Sequence, residues 1–517
     1  MKHIKKLASL LLALVMALSL AVTAFADEST TYSITINNST AGHTYEAYQI
    51  FTGDLATNEA GNKVLSNIVW GSGVSEAGQT ALGDAAAKAE TLKTEADAKA
   101  FAKAVAPYLT TAAGSANTVT DGKYVISGLA AGYYLVKDQD GSLIGDNDSY
   151  TEYIIQVVGN VTATPKSDVP EVQKKVKDIN DSTDTTKTDW QDSADYDIGD
   201  SIPFQLKATL ADNVSSYTTY KVVFHDTLSK GLTYNKDAKV YIDGTETNGF
   251  TVTATVNADG TTTLTVSCDD VKALGAGNSS VITVEYTAKL NENAVLGSAG
   301  NPNEVYLEYS NNPNKSEEGN NETGETPKDV VIVFTYKTII NKVDSETKPL
   351  TGAAFKLEKL IKGEDGAADT WTTVQEFTVD ETTTSFTFSG LDDGQYKLTE
   401  TKTPVGYNTI DPIYFVIEAT HGETADVPTL KTLNAYLTDA NGNKQTEMKD
   451  GESVNIDLGT VDLTAGSITT TVVNKSGSEL PSTGGIGTTI FYVLGGVLVL
   501  AAVVLLVTKK RMSGAEK

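Results

Sequence analysis

Across 517 residues the chain holds a single cysteine, Cys268, and a single arginine, Arg511. One thiol rules out an internal disulfide, the usual brace of durable exported proteins, so resistance to force or proteases has to come from other bonds. Basic residues are short as well: Lys and Arg total 40 against 67 Asp and Glu, a formal charge of −27 at pH 7. A surface of that sign repels phosphate, which argues against nucleic acid and anionic membrane as partners. It reads as a solvated, repulsive coat. The four histidines, His3, His43, His225 and His421, fall into no metal-ligand spacing. No phosphate loop, nucleophile elbow or HExxH helix is present. Cys268 sits in strand-like sequence with nothing catalytic beside it, as a small buried hydrophobe does. Neither a turnover enzyme nor a bound metal or cofactor is expected. Apolar runs long enough to matter occur only at the two ends.

The first run reads as a secretory signal peptide over residues 1–26. Basic Lys2, Lys5 and Lys6 precede an apolar stretch from Leu7 to Ala21, followed by the small-x-small site Ala24-Phe25-Ala26 and polar Asp27-Glu28. At the other end stand Leu480-Pro481-Ser482-Thr483-Gly484, then 23 largely apolar residues from Gly485 to Val507, then Lys509-Lys510-Arg511 in a basic tail over 508–517. About 20 apolar residues suffice to cross a bilayer, and the basic cluster holds the tail inside. This order resembles the cell-wall sorting signal of Gram-positive surface proteins. The resemblance implies that a sortase thiolate attacks the Thr483 carbonyl, expels Gly484 onward and passes the acyl group to an amine. Pro481 stiffens and extends the chain beside that bond. Removing a leader of +3 and a tail of +3 would take the net charge from −27 to about −33.

Between the ends, Thr, Val and Tyr alternate with period two between Gly, Asn and Asp turns, the pattern of short antiparallel strands. Thr251–Val256, a turn at Asn257-Ala258-Asp259-Gly260 and Thr261–Val266 predict one hairpin. Two prolines, Pro165 and Pro170, and a polar Asn, Glu, Gly and Pro stretch over 311–328 divide the chain. The fold expected is mainly β: three tandem immunoglobulin-like sandwiches over 27–168, 169–330 and 331–479, plus a C-terminal transmembrane helix. The Ala-rich segment Glu76–Leu109, with Thr94 and Asp97 at capping-box spacing, predicts one or two helices inserted in the first.

The third domain opens on Ile339-Ile340-Asn341-Lys342-Val343-Asp344, carries Gly394-Gln395-Tyr396-Lys397-Leu398-Thr399-Glu400-Thr401 ahead of Pro404-Val405-Gly406-Tyr407, and closes on Val472-Val473-Asn474-Lys475. Alternation puts Ile340 with Lys342, and Tyr396 and Leu398 with Glu400, on core faces. These segments, in this order, resemble the collagen-adhesin B-type domain and its E-box. The resemblance implies an isopeptide bond from Lys342 to Asn474. Burial would keep the amine neutral and the carboxyl protonated, and Glu400 would polarise the carbonyl and move protons. A hydrogen-bonded triad that never reacts is the alternative.

In the middle domain, Val172, Lys174 and Val176 share one face of Val172-Gln173-Lys174-Lys175-Val176, leaving Lys175 outward. His225-Asp226-Thr227 lies between, and Asn303-Glu304-Val305 stands near the end. This layout resembles the middle domain of Gram-positive shaft pilins, which implies a Lys174–Asn303 bond promoted by Asp226, with Lys175 as the alternative amine. The first domain ends on Val161-Thr162-Ala163-Thr164-Pro165-Lys166, similar to a pilin motif, although Thr164 and Ala163 replace its frequent Tyr and Val. Lys166 is thereby implied to accept Thr483 of a neighbouring subunit, with Lys174 or Lys175 as alternatives. Gly128–Asp138 looks like an E-box without its glutamate, so no cross-link is expected there. The function implied is the major subunit of a covalent, wall-anchored pilus supporting adhesion. Its partners would be pilus-specific and housekeeping sortases, further copies of itself, peptidoglycan, minor pilins and host ligands. A monomeric wall-anchored adhesin is the alternative.

Overall fold

The computed structural model describes residues 30–165, 168–317, 321–449, 452–455 and 458–477. The leader, Lys166, the sorting motif 480–484 and the apolar segment 485–507 lie outside them. Among the described residues no helix is long and apolar enough to cross a membrane. The chain packs as two compact units. One takes in residues up to 179, 186–335 and 420–432; the other takes in 180–185, 336–419 and 433 onward.

The first sandwich has a three-stranded sheet in which β1 (Tyr32–Asn37) lies between Lys123–Leu129 and Val161–Ala163. Its five-stranded sheet runs Lys63–Trp70, β2 (Tyr45–Thr57), β3 (Gly132–Asp138), β4 (Glu152–Val157), with Gly114–Ala116 also on β2. β3 reads Gly-Tyr-Tyr-Leu-Val because both its faces are covered. Tyr134 and Val136 join Ile34, Ile36 and Ile126 between the sheets. Tyr133 and Leu135 join Phe101 and Val105 of the helical layer. That layer holds three helices, α1 (Glu76–Leu82), α2 (Ala85–Thr91) and α3 (Glu95–Val105), one more than the upper count expected. The Ala-rich run is split because Gly83 turns at φ +88° and Asp84 accepts from the Ala87 amide at 2.8 Å, starting a new helix. Thr94 and Asp97 form the capping box on α3.

The middle sandwich packs one sheet ordered Thr245–Thr247, Lys239–Ile242, β8 (Val281–Leu290), β6 (Ser201–Thr209), β5 (Glu171–Val176) on a second. The second runs Ser193–Asp195, β10 (Asp329–Phe334), β9 (Asn301–Ser310), β7 (Val222–Leu228), Thr262–Cys268, Thr251–Val256. The alternation is plain: Ile202, Phe204, Leu206 and Ala208 of β6 are buried, as are Ile282, Val284, Tyr286 and Ala288 of β8. The Thr251–Val256 hairpin forms with register Thr251↔Ser267 to Val256↔Thr262. Cys268 is buried in it. Because β10 pairs with β9, the middle sandwich extends to Phe334, past the break read at residue 330.

In the third sandwich β11 (Tyr336–Asp344) lies between Ser385–Leu391 and β14 (Ser467–Asn474), with Thr460–Asp462 beyond β14. The facing sheet is ordered Thr370–Glu376, β12 (Ala354–Ile361), β13 (Gly394–Lys402), Ile413–His421, Leu430–Thr438. First and last long strands pair in parallel, Lys337↔Ser467 through Asp344↔Asn474.

Candidate intramolecular cross-link sites

β11 buries Thr338, Ile340 and Lys342, and β14 buries Val472 and Asn474. In the parallel register Lys342 stands opposite Val472 and Asp344 opposite Asn474. The predicted lysine and asparagine therefore come from adjacent strands of one sheet. Glu400 enters from β13 in the facing sheet, two residues beyond Leu398 on the same face. Asn474 Nδ2 donates to Glu400 Oε1 and Oε2 at 3.0 Å each. Glu400 also accepts from Thr403 Oγ1 at 3.2 Å and from the Ile410 amide at 3.3 Å. Lys342 Nζ donates to the carbonyls of Val343 and Val472, both at 3.1 Å. Burial pushes the Lys342 amine below its ordinary pKa, while the Glu400 and Asp344 charges pull it back up. Asn474 Oδ1 is buried and accepts no hydrogen bond. The acid thus meets the amide at its nitrogen, whereas polarisation of the carbonyl had been expected. A planar amide donates to an ionised carboxylate; the turned amide would suit the carboxyl only once protonated.

The middle site is assembled across the sandwich. Lys174 comes from β5 at the edge of one sheet, while Asp226 (β7) and Asn303 (β9) come from the other, and all three side chains are fully buried. Lys174 Nζ contacts Asp226 Oδ1. Its Nζ lies 5.5 Å from the Phe204 ring centroid and 5.4 Å from that of Tyr286. Burial pushes the Lys174 amine down and the Asp226 carboxyl up, each partly offset by the charge of the other. Lys175 faces the opposite way, is part-exposed, and pairs with Asp192.

One participant was missed. Tyr286 of β8 accepts from Lys174 Nζ at 3.1 Å and from Asn303 Nδ2 at 2.8 Å, and donates to Asp226 Oδ2 at 2.5 Å. Its alternation with Ile282 and Val284 marked it as inward, and an inward phenol needs a polar partner. That signal was legible in the sequence; which partner it finds was not. Asn303 Oδ1, like Asn474 Oδ1, is buried and accepts no hydrogen bond.

The first sandwich carries no buried lysine among its described residues. Its polar core is another group the sequence did not single out. His43 is fully buried, with Nδ1 2.7 Å from Asp138 Oδ1 and Nε2 2.8 Å from Asp148 Oδ2. Burial alone would lower the imidazole pKa, but the two carboxylates outweigh it and raise it to about 9. Asp138 closes the E-box-like strand, where it also accepts from the Thr151 amide and hydroxyl at 2.8 and 3.0 Å. The strand that leads to Lys166 pairs in parallel with β1, and Asn37 Nδ2 donates to Thr164 Oγ1 at 3.1 Å.

Tandem β-sandwiches with lysine, acid and asparagine sealed inside two of them are thus the class of architecture seen. Residues 198–313 match the family described as Gram-positive pilin backbone subunit 2, Cna-B-like domain. Residues 337–432 match the SpaA prealbumin-like fold domain, and residues 472–513 match the LPXTG cell wall anchor motif. These modules and the anchor motif support a structural major subunit of a sortase-assembled surface pilus. The chain is 26% identical over 450 residues to the trypsin-resistant surface T6 protein of Streptococcus pyogenes serotype M6, covering 76% of this chain and 77% of that one. Its fold is similar to the modular three-domain T6 backbone pilin of serotype M6 Streptococcus pyogenes, with a TM-score of 0.55 and 19% identity. That match covers 87% of this chain and 100% of the other.

Proposed function

We propose that this pilin is locked by two internal amide bonds, Lys174–Asn303 and Lys342–Asn474, and polymerised through Lys166 and Thr483. In each internal reaction the neutral lysine Nζ attacks the asparagine Cγ, the bond from Cγ to Nδ2 breaks, and one Nζ proton leaves with that nitrogen as ammonia. Asp226 and Glu400 act once, on their own chain. The observation that carries this reading is shared by both sites. A fully buried amine lies in a sandwich interior with a buried acid and with an asparagine whose carbonyl oxygen has no hydrogen-bond partner. Unreacted, such a site is costly: a buried orphan oxygen costs about 1–3 kcal/mol, and charges out of water cost several kcal/mol each. The amide product removes the ionisable amine altogether.

Sortase transfer of the Thr483 acyl group to Lys166 of the next subunit gives a head-to-tail interface that need not close and so grows as a fibre. The parallel strand before Pro165 supports this reading by holding the approach to Lys166 at the sandwich edge. Retention by the 485–507 segment precedes the transfer, and passage of the finished shaft to peptidoglycan ends it. Two measurements test the whole. The intact mass of the folded ectodomain is expected to fall short by two ammonia molecules; a full mass would remove both internal bonds. A high-mass ladder from detergent-boiled cell wall is expected to collapse in a Lys166→Ala strain, and a persisting ladder would move the acceptor elsewhere.

A further inference from the structure

We propose that Tyr286 is the proton relay of the middle-domain reaction, an inference that rests on the Lys174–Asn303 reading. Amide formation has to take a proton from the attacking nitrogen and deliver one to the departing nitrogen. In the third sandwich the acid touches the departing nitrogen directly, since Glu400 accepts from Asn474 Nδ2 through both oxygens. In the middle sandwich the acid is an aspartate, shorter by one methylene, and the hydrogen-bond partner of Asn303 Nδ2 is the Tyr286 hydroxyl. The same oxygen accepts from Lys174 Nζ at 3.1 Å. One hydroxyl therefore contacts both the nitrogen that loses a proton and the nitrogen that gains one. Asp226 holds Nζ with Oδ1 and the phenol with Oδ2.

The step balances within these groups. Nζ adds to Asn303 Cγ, giving a tetrahedral carbon with a cationic Nζ and an anionic oxygen. Nδ2, no longer conjugated, recovers its lone pair and turns from hydrogen-bond donor to acceptor. The phenol hydrogen swings from Asp226 Oδ2 to Nδ2, and the phenol oxygen takes a proton from Nζ in the same movement. The oxyanion re-forms the carbonyl, the bond from Cγ to Nδ2 breaks, ammonia leaves, and Tyr286 and Asp226 return to their starting states. The ring is held for this role: it stacks on Phe204 at 5.5 Å between centroids and meets the edge of Tyr234 at 5.6 Å. Burial and the adjacent Asp226 charge keep the phenol protonated, so it passes a proton on instead of acting as a standing base.

The test uses the full ectodomain with wild type, Tyr286→Phe and Tyr234→Phe side by side. Mass and peptide mapping follow each internal bond from the start of refolding of freshly made chain. Tyr286→Phe is expected to slow the Lys174–Asn303 bond at least tenfold while Lys342–Asn474 forms at the wild-type rate in the same molecules. Tyr234→Phe is expected to change neither. Wild-type rates for both bonds in Tyr286→Phe would overturn the relay. A wild-type protein without the Lys174–Asn303 bond would instead overturn the reading beneath it. Should Tyr286→Phe leave residues 281–290 unprotected in hydrogen exchange, a ring-fluorinated tyrosine at position 286 replaces it. That group keeps the shape and hydroxyl but is more acidic: a shifted rate and pH profile support the relay, and unshifted ones remove it.

Discussion

Asp226 and Asn303 sit in the same sealed interior, yet removing each should cost the protein differently. Asn303→Ala forfeits the proposed bond but leaves Lys174 paired with Asp226. Asp226→Ala forfeits the bond and also strands a buried lysine, and breaking a buried pair from one side costs about 3–5 kcal/mol. Urea unfolding of the middle sandwich is expected to show Asp226→Ala as the weaker variant by an amount of that order; equal losses would mean Lys174 finds other neutralisation. His43 gives a prediction in pH. Its pKa is raised from 6.5 to about 9 in the folded state. The folded form therefore binds the proton more tightly, and the stabilisation is complete below about pH 6.5 and lost as pH rises through 9. The imidazole signal is expected to stay protonated at pH 8, and first-sandwich melting to fall between pH 7 and 10, a slope that His43→Gln should abolish.

At the scale of the strand, period-two alternation decides which lysine turns inward. β5 buries Lys174 and Val176 and leaves Lys175 part-exposed against Asp192. Lys175→Ala is expected to keep the full ammonia deficit of the wild type, and Lys174→Ala to lack one ammonia; a reversed pair of masses would mean the register is one residue off. Alternation also made the strands themselves, the Thr251–Val256 hairpin and the capped helix α3 readable, since each is specified by neighbours in sequence. The third helix was not read because the whole Glu76–Leu109 run favours helix, and only the Asp84 cap and the Gly83 turn divide it. The end of the middle domain was misplaced for a related reason. β10 looks like any other β-rich segment, and its assignment rests on pairing with β9.

At the scale of the molecule, each internal bond would close a loop of about 130 residues, for which chain-entropy reasoning gives about 5 kcal/mol of stabilisation. The Lys174–Asn303 site lies in one compact unit and the Lys342–Asn474 site in the other, so their effects should add. Asn303→Ala and Asn474→Ala are each expected to lower a different calorimetric transition, with the double variant showing both losses. Trypsin should also cleave the double variant faster than the wild type. A single transition that moves with either substitution would mean the two units unfold together.

The wall-anchor motif, the β architecture and the inward parity of Lys342, Glu400, Asn474, Lys174, Asp226 and Asn303 were all carried by the sequence. Each is written in a contiguous segment or in the parity of one strand, and short-range physics suffices to read it. The tertiary structure alone decided that Lys342 and Asn474 share a sheet while Lys174 and Asn303 come from opposite sheets of one sandwich. It also decided that the two carboxyls meet their asparagines differently, and that Tyr286 and the His43–Asp138–Asp148 cluster exist as sites. Those facts depend on which strands, in several cases more than a hundred residues apart in sequence, become neighbours when the two faces of each sandwich close. A buried polar atom takes whatever partner that closure brings within reach, and no local pattern encodes it.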